Sequence, residues 1–233
     1  GTMLSAALLC GMPAYANVTN METAYASLPA YNGDDLELKV DNKGTHFTLW
    51  SPQAQAAQVL LYDTDRNTPA IQTFDMTKSD NGTWRVTSPK QLYGKFYTFR
   101  IKYEGKWLDE TPGVWAKAVG TNGRRAAIID FATTNPAGWE NDKGPEIGSI
   151  ADVIIYEMHH RDFSIHPSSG IVNKGKFLAL TEQGTRSLLG DKTGIDHLKE
   201  LGITHVHILP SYDYNSVDES QLPENKYNWG YDP

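Results

Sequence analysis

Apolar residues follow two different rhythms along this chain. From Tyr31 to about residue 131 they alternate with polar ones. Thr45-His46-Phe47-Thr48-Leu49-Trp50 alternates and stops at Ser51-Pro52. Gln58-Val59-Leu60-Leu61-Tyr62 is a second β-rich run. Thr83-Trp84-Arg85-Val86-Thr87 is a third, after the turn Asp80-Asn81-Gly82. Phe96 to Tyr103 places Tyr97, Phe99, Ile101 and Tyr103 on one face and Phe96, Thr98, Arg100 and Lys102 on the other. Arg125 to Asp130 reads as a further strand. Short alternating strands separated by turn signals predict an antiparallel, immunoglobulin-like β-sandwich over 31–131.

Residues 132–149 break the pattern. Asn135-Pro136 and Gly144-Pro145 sit in a polar stretch that reads as a linker. From residue 150 to 233 the rhythm is new. Ala151 to Met158 is nearly continuously apolar, as a strand buried on both faces is. Thr193 to Leu201 predicts a helix, with Thr193 as its cap and Asp196 three residues on. Ile195, Leu198 and Leu201 form its buried stripe, and Gly202 stops it. Ile203 to Leu209 is the next buried strand. Strand, helix, strand makes a right-handed βαβ unit with parallel strands, so the chain reads as multi-domain. The connection from Ile165 to Asp191 is long for such a unit, and long connections in compact domains tend to serve function.

Composition narrows the function classes. A formal net charge of −7 gives no basic footprint for nucleic acid. No apolar run reaches the ~20 residues of a membrane span. The single Cys10 excludes an intrachain disulfide framework. Residues 1–30 read as a tail. Met3 to Gly11 is short and apolar, and Ala14-Tyr15-Ala16 fits the A-x-A pattern of a signal-peptidase site, without a basic n-region. A signal remnant implies a secreted, periplasmic or cell-surface protein. A short helix or plain tail would leave a cytoplasmic one equally open.

Candidate chemistry clusters after the two apolar strands. His159-His160-Arg161-Asp162 follows the first, and Tyr212 to Pro233 follows the second. The triplet His160-Arg161-Asp162 echoes a kinase catalytic loop, but Pro167 stands where that loop needs an Asn. His159 and His160 are neighbours and point to opposite faces, so they do not converge on a metal. The run Tyr227-Asn228-Trp229-Gly230-Tyr231-Asp232-Pro233 combines flat aromatic faces, which stack on sugar rings, with an amide and a carboxylate that bond hydroxyls. That composition suits a carbohydrate subsite, while an aromatic loop packed under a core is the other reading of such a string.

Three words carry a family resemblance: Gly202-Ile203-Thr204-His205-Val206-His207-Ile208-Leu209-Pro210, then Ser211 to Glu219, then YNWGYDP. Together they resemble the type I pullulanases, starch-debranching enzymes of the α-amylase superfamily (glycoside hydrolase family 13). Phe47-Thr48-Leu49-Trp50-Ser51-Pro52, Gly94 to Phe99 and Asn122-Gly123-Arg124-Arg125 resemble carbohydrate-binding module family 48. The resemblance implies that residues 150–233 open a (β/α)₈ TIM barrel and stop after its second strand. It implies hydrolysis of α-1,6-glucosidic linkages in pullulan, amylopectin or limit dextrins by a retaining double displacement. The nucleophile and acid would lie beyond this stretch, so no catalytic carboxylate is expected within it. Tyr231 would stack on the sugar beside the scissile bond, Asp232 would hold its loop, and Asn228, Trp229 and Tyr227 would line the cleft. His159, Asp162 and Tyr212 would support it. His160 and His207 depart from the family pattern. No cofactor and no metal ligand is implied, and a structural calcium stays open. The implied partners are an α-glucan and the remaining barrel polypeptide of the same precursor. A noncatalytic glucan-binding fragment and a related isoamylase or branching enzyme are the alternatives. Trp50, Trp84 and Trp107 are expected to fill core or contacts more often than to bind sugar.

Overall fold

A computed structural model describes residues 26–212, 214–224 and 227–231. Cys10 and the candidate cleavage site at 14–16 lie outside the described residues, as do Asp213, Asp232 and Pro233. The chain forms two compact units. The first runs to Gly120 and takes up Arg124–Ile129. The second comprises Thr121–Gly123 and the described residues from Asp130 onward.

The first unit is built from two antiparallel sheets. One has the order β1 (Glu37–Asp41), β2 (Gly44–Trp50), β6 (Thr83–Ser88), β5 (Thr77–Lys78). The other has the order β4 (Gln72–Asp75), β3 (Ala56–Tyr62), β7 (Phe96–Tyr103), β8 (Lys106–Trp107), with β9 (Ala126–Ala127) against β7. Alternation sends Phe47 and Trp84 inward from one sheet, and Val59, Leu61, Tyr97 and Phe99 inward from the other. Phe47, Tyr97 and Phe99 meet edge to face, with centroids 5.2 to 6.3 Å apart. Aromatic pairs prefer this geometry because the positive ring edge meets the negative face.

Two details depart from the sequence pattern. The predicted strand at 125–130 shortens to Ala126–Ala127. Ile128 stays attached through its amide to the Lys95 carbonyl and its carbonyl to the Gly94 amide. The outer face of β3 and β7 is also partly buried. Tyr62 and Thr98 both donate their hydroxyls to the Glu110 carboxylate, and the Arg125 guanidinium lies 3.5 Å over the Tyr62 ring. Of the three tryptophans, Trp84 is core, whereas Trp50 and Trp107 are each 40% exposed. The Trp50 indole donates to the carbonyls of Pro29 and Asn81, and Arg100 sits 5.0 Å over the Trp107 ring.

In the second unit, residues 132–149 are exposed and carry only short 3₁₀ turns. β10 (Ile155–Met158) and β11 (His205–Ile208) then pair in parallel, Ile155 opposite His205 and Met158 opposite Ile208. Helix α1 (Gly194–Glu200) lies between them in sequence. Its Thr193 holds the cap position but does not cap. The Thr193 hydroxyl donates instead to the Ser169 carbonyl at 2.6 Å and lies 2.9 Å from the Thr185 hydroxyl. Asp196 accepts from the Gly184 amide at 2.5 Å. The side chains of a capping box are thus spent on fastening the long 165–191 connection to the helix start. Leu198 is buried, but Leu201 is exposed, which narrows the expected stripe.

The two strands differ from their sequence reading in burial. Met158 is buried, yet Ile154, Ile155, Val206 and Ile208 are exposed. A parallel pair needs cover on both faces, and among the described residues one short helix and a loop provide little of it.

Candidate glucan site

β10 and β11 end side by side, and the segments leaving their C-terminal ends form the site. His159, His160 and Arg161 follow β10. The peptide from Ser211 to Tyr231 follows β11. Between them a turn at Phe177–Thr181 and residues Asn173 to Lys176 close a third side. These walls enclose a cavity of about 760 Å³, whose lining includes His159, His160, Phe177, Tyr212, Asp218 and Asn228.

At its edge stands a cluster centred on Tyr227. Its hydroxyl donates to Asp162 Oδ2 at 3.2 Å. The Arg161 guanidinium lies 5.4 Å from its ring centroid and pairs with Asp162 Oδ1 at 3.0 Å. His159 packs tilted against the same ring at 5.6 Å, and its Nδ1 is 4.0 Å from Asp162 Oδ2. Trp229 meets Tyr227 edge to face at 5.4 Å. Lost hydration, then the adjacent Asp162 carboxylate, push the Tyr227 hydroxyl above its ordinary range. It therefore stays a donor at neutral pH. Asp162 thus accepts from a cation on one oxygen and from a phenol on the other.

The end of the segment has a constrained backbone. Asn228 Oδ1 accepts the Gly230 amide at 3.0 Å and closes a tight turn. Gly230 has φ +71°, and a Cβ there would fall 2.8 Å from the Pro210 carbonyl oxygen. Tyr231 follows in the same left-handed region at φ 59°, with its ring exposed. Gly230→Ala is expected to cost about 1–2 kcal/mol in backbone strain alone, before the clash is relieved. Limited proteolysis will read this as faster cleavage after Tyr227 with cleavage elsewhere unchanged.

His159 and His160 lie just past the strand end, and both line the cavity while packing against different rings. His160 turns its ring edge on to Phe177 at 4.6 Å. Burial first, and the neighbouring His159 second, push His160 below its ordinary range, which favours the neutral imidazole. Among the described residues no group of three His, Cys, Asp or Glu side chains could hold a metal ion.

The structure thus gathers Tyr227, Trp229, His159 and Asp162 into one cluster, with Asn228 and Tyr212 on the adjoining cavity wall. Tyr231 is exposed and does not line that cavity. Sequence reasoning passed over Arg161, whose only signal was its place between a histidine and an aspartate. It also passed over Phe177, which no motif marks. Asp218 is held well below the usual carboxylate range by hydrogen bonds, Asn122 foremost and then Ser220. That contact spans 96 residues of sequence and had no local signature.

Residues 35–117 match carbohydrate-binding module 48, the isoamylase N-terminal domain. The first unit is a module of that class. The chain is 40% identical over 189 residues to the pullulanase of Bacillus subtilis, covering 81% of this chain and 25% of that protein. It is 49% identical, with a TM-score of 0.84, to a mutant pullulanase from Paenibacillus barengoltzii crystallised with maltotriose, covering 90% of this chain and 33% of that one. The pullulanase from Bacillus acidopullulyticus is 41% identical, with a TM-score of 0.81, over 89% of this chain and 25% of the relative. This chain belongs to the pullulanase family of glycoside hydrolase family 13 and carries its module 48. It spans between a quarter and a third of the length of these relatives.

Proposed function

We propose that the chain supplies the carbohydrate-binding module and the opening of the catalytic (β/α)₈ barrel of a debranching enzyme that is secreted, periplasmic or at the cell surface, with a cytoplasmic one the alternative. The enzyme hydrolyses α-1,6-glucosidic linkages in pullulan, amylopectin and limit dextrins, with retention through a covalent glycosyl-enzyme. The observation that carries this reading is the aromatic and carboxylate cluster around Tyr227, placed where two parallel strands end. Barrel enzymes build their sites at that end of the strands. The maltotriose complex of the Paenibacillus barengoltzii relative supports a linear α-glucan as ligand.

In this reading Tyr231 stacks on the sugar beside the scissile bond. Asn228 and Trp229 line the wall, and Asp232 steadies the loop that carries them. Tyr227 is oriented by Asp162, Arg161 and His159; its hydroxyl proton goes to Asp162, so toward a sugar it offers its ring face and an accepting oxygen. Retaining hydrolysis needs two carboxyl groups ~5–5.5 Å apart, one nucleophile and one acid. The family resemblance puts that pair in the remaining barrel polypeptide, with Asp162 and Asp218 serving here as hydrogen-bond acceptors within the site.

The test is incubation of the full-length protein with pullulan, followed by linkage and anomer analysis. The expected products arise by α-1,6 cleavage and appear first as the α-anomer. Cleavage of α-1,4 bonds instead, or glucan retention with no sugar released, overturns the reading. The second outcome would favour a noncatalytic glucan-binding role. The 233-residue chain expressed by itself is expected to release no sugar from pullulan.

A further inference from the structure

Asn122 stands about a hundred residues before the wall it touches, yet Thr121–Gly123 fold with the second unit. Its backbone is left-handed, φ 56° and ψ 31°, a conformation that asparagine tolerates better than most side chains. In that pose its whole amide unit is used. The Asn122 amide N–H donates to Glu219 Oε2 at 2.8 Å. Its side-chain Nδ2 donates to Asp218 Oδ1 at 2.9 Å. Its Oδ1 accepts the Glu219 amide at 2.8 Å. Asp218 in turn gathers its own turn. It accepts from the Ser220 amide and hydroxyl, at 3.0 and 2.6 Å, and from Gln221 Nε2 at 2.8 Å. Asp218, Glu219 and Gln221 all line the cavity described above.

We propose that Asn122 is a positioning residue for the glucan site, clasping the 217–221 turn so that this cavity wall holds one shape. The inference rests on the glucan reading of that cavity. The reasoning is one of conformational freedom. The turn has no strand or α-helix to hold it; Glu219–Glu224 is a kinked 3₁₀ segment. Three hydrogen bonds from one residue, two of them to carboxylates, restrict it from outside, and bonds to charged groups are the stronger kind. A loop wall that is ordered before a sugar arrives does not charge its ordering entropy to binding. Asn122 itself lies off the cavity lining, so it acts through Asp218 and Glu219.

The test uses the full-length protein and three variants: Asn122→Gly, Asp218→Ala and the double variant. Glycine keeps the left-handed backbone and its N–H, and removes only the side-chain amide. Hydrogen exchange of residues 217–221 is expected to speed up by about tenfold in Asn122→Gly, with the rest of the chain unchanged. KM for pullulan is expected to rise by about fivefold with kcat within about twofold, as loss of uniform binding does. The double variant should lose less than the sum of the two single ones, because the Asn122–Asp218 bond is removed by both. Unaltered exchange in Asn122→Gly overturns the clasp. Faster exchange with unaltered KM overturns its role in the site. A wild-type protein that leaves pullulan intact sinks the debranching reading instead, and the exchange experiment still decides the clasp.

Discussion

Trp84→Ala is expected to destabilise the first unit by about 3–5 kcal/mol, the range for removing a large aromatic from a core. Trp84 sits on β6 opposite Leu49 of β2 and is only 6% exposed. It packs into the cluster that holds Phe47, Val59, Tyr97 and Phe99. Its indole N–H donates to the Ser51 carbonyl at 3.0 Å, so it also anchors the turn after β2. Truncation therefore empties volume between two sheets and leaves the Ser51 carbonyl with only the Ala54 amide as donor. Neither sheet can close the gap without breaking its ladder. For a unit of this size the loss corresponds to a fall in melting temperature of roughly 12 °C or more. Trp84→Phe separates the two contributions. It retains most of the packing and loses the hydrogen bond, about 1 kcal/mol, together with the smaller volume difference between indole and phenyl. Thermal denaturation followed by circular dichroism reads both. A melting temperature for Trp84→Ala within a degree or two of the parent's would show that the residue is not core.

Trp84 was legible because a strand with period 2 and a turn on each side can bury only one face. Trp50 lies on β2 with the same alternation, yet it reaches the surface. Its indole N–H is satisfied by two backbone carbonyls from different loops, and no periodicity predicts those. The outer face of β3 and β7 was illegible for a related reason. Thr98 looked like a solvent residue, but Glu110, twelve positions later, folds over it and accepts its hydroxyl. The parallel strands were located by their apolar runs, and their helix by its cap and stripe. The cap itself was misread, because Thr193 and Asp196 had better partners in a loop whose path the sequence does not encode locally. The same limit applies to the site. Tyr227 and Trp229 declared themselves by composition within seven residues. Arg161 and Asn122 declared nothing, since their meaning comes from side chains 66 and 96 positions away in sequence.

Tyr231→Ala in the full-length protein is expected to lower turnover on pullulan by at least about tenfold, which needs only ~1.4 kcal/mol of lost transition-state contact. The backbone supports this. Gly230 can approach the Pro210 carbonyl only because it lacks a Cβ, and Asn228 fixes the turn before it. Tyr231 is thereby held in a left-handed conformation that is uncommon for an aromatic residue, with its ring 61% exposed. Such strain persists where surrounding structure enforces it, and such sites are often functional. An exposed aromatic ring on a fixed backbone loses little freedom when it stacks on a sugar, so most of the contact energy is available to catalysis. Two controls sharpen the result. Tyr231→Phe keeps the ring and should keep most of the activity, because stacking rather than the hydroxyl carries the effect. The melting temperature of Tyr231→Ala should match the parent's, since an exposed ring contributes little to the core. Unchanged kinetics in the folded alanine variant would remove Tyr231 from the site. A loss of activity shared equally by the phenylalanine variant would move the role from the ring face to the hydroxyl.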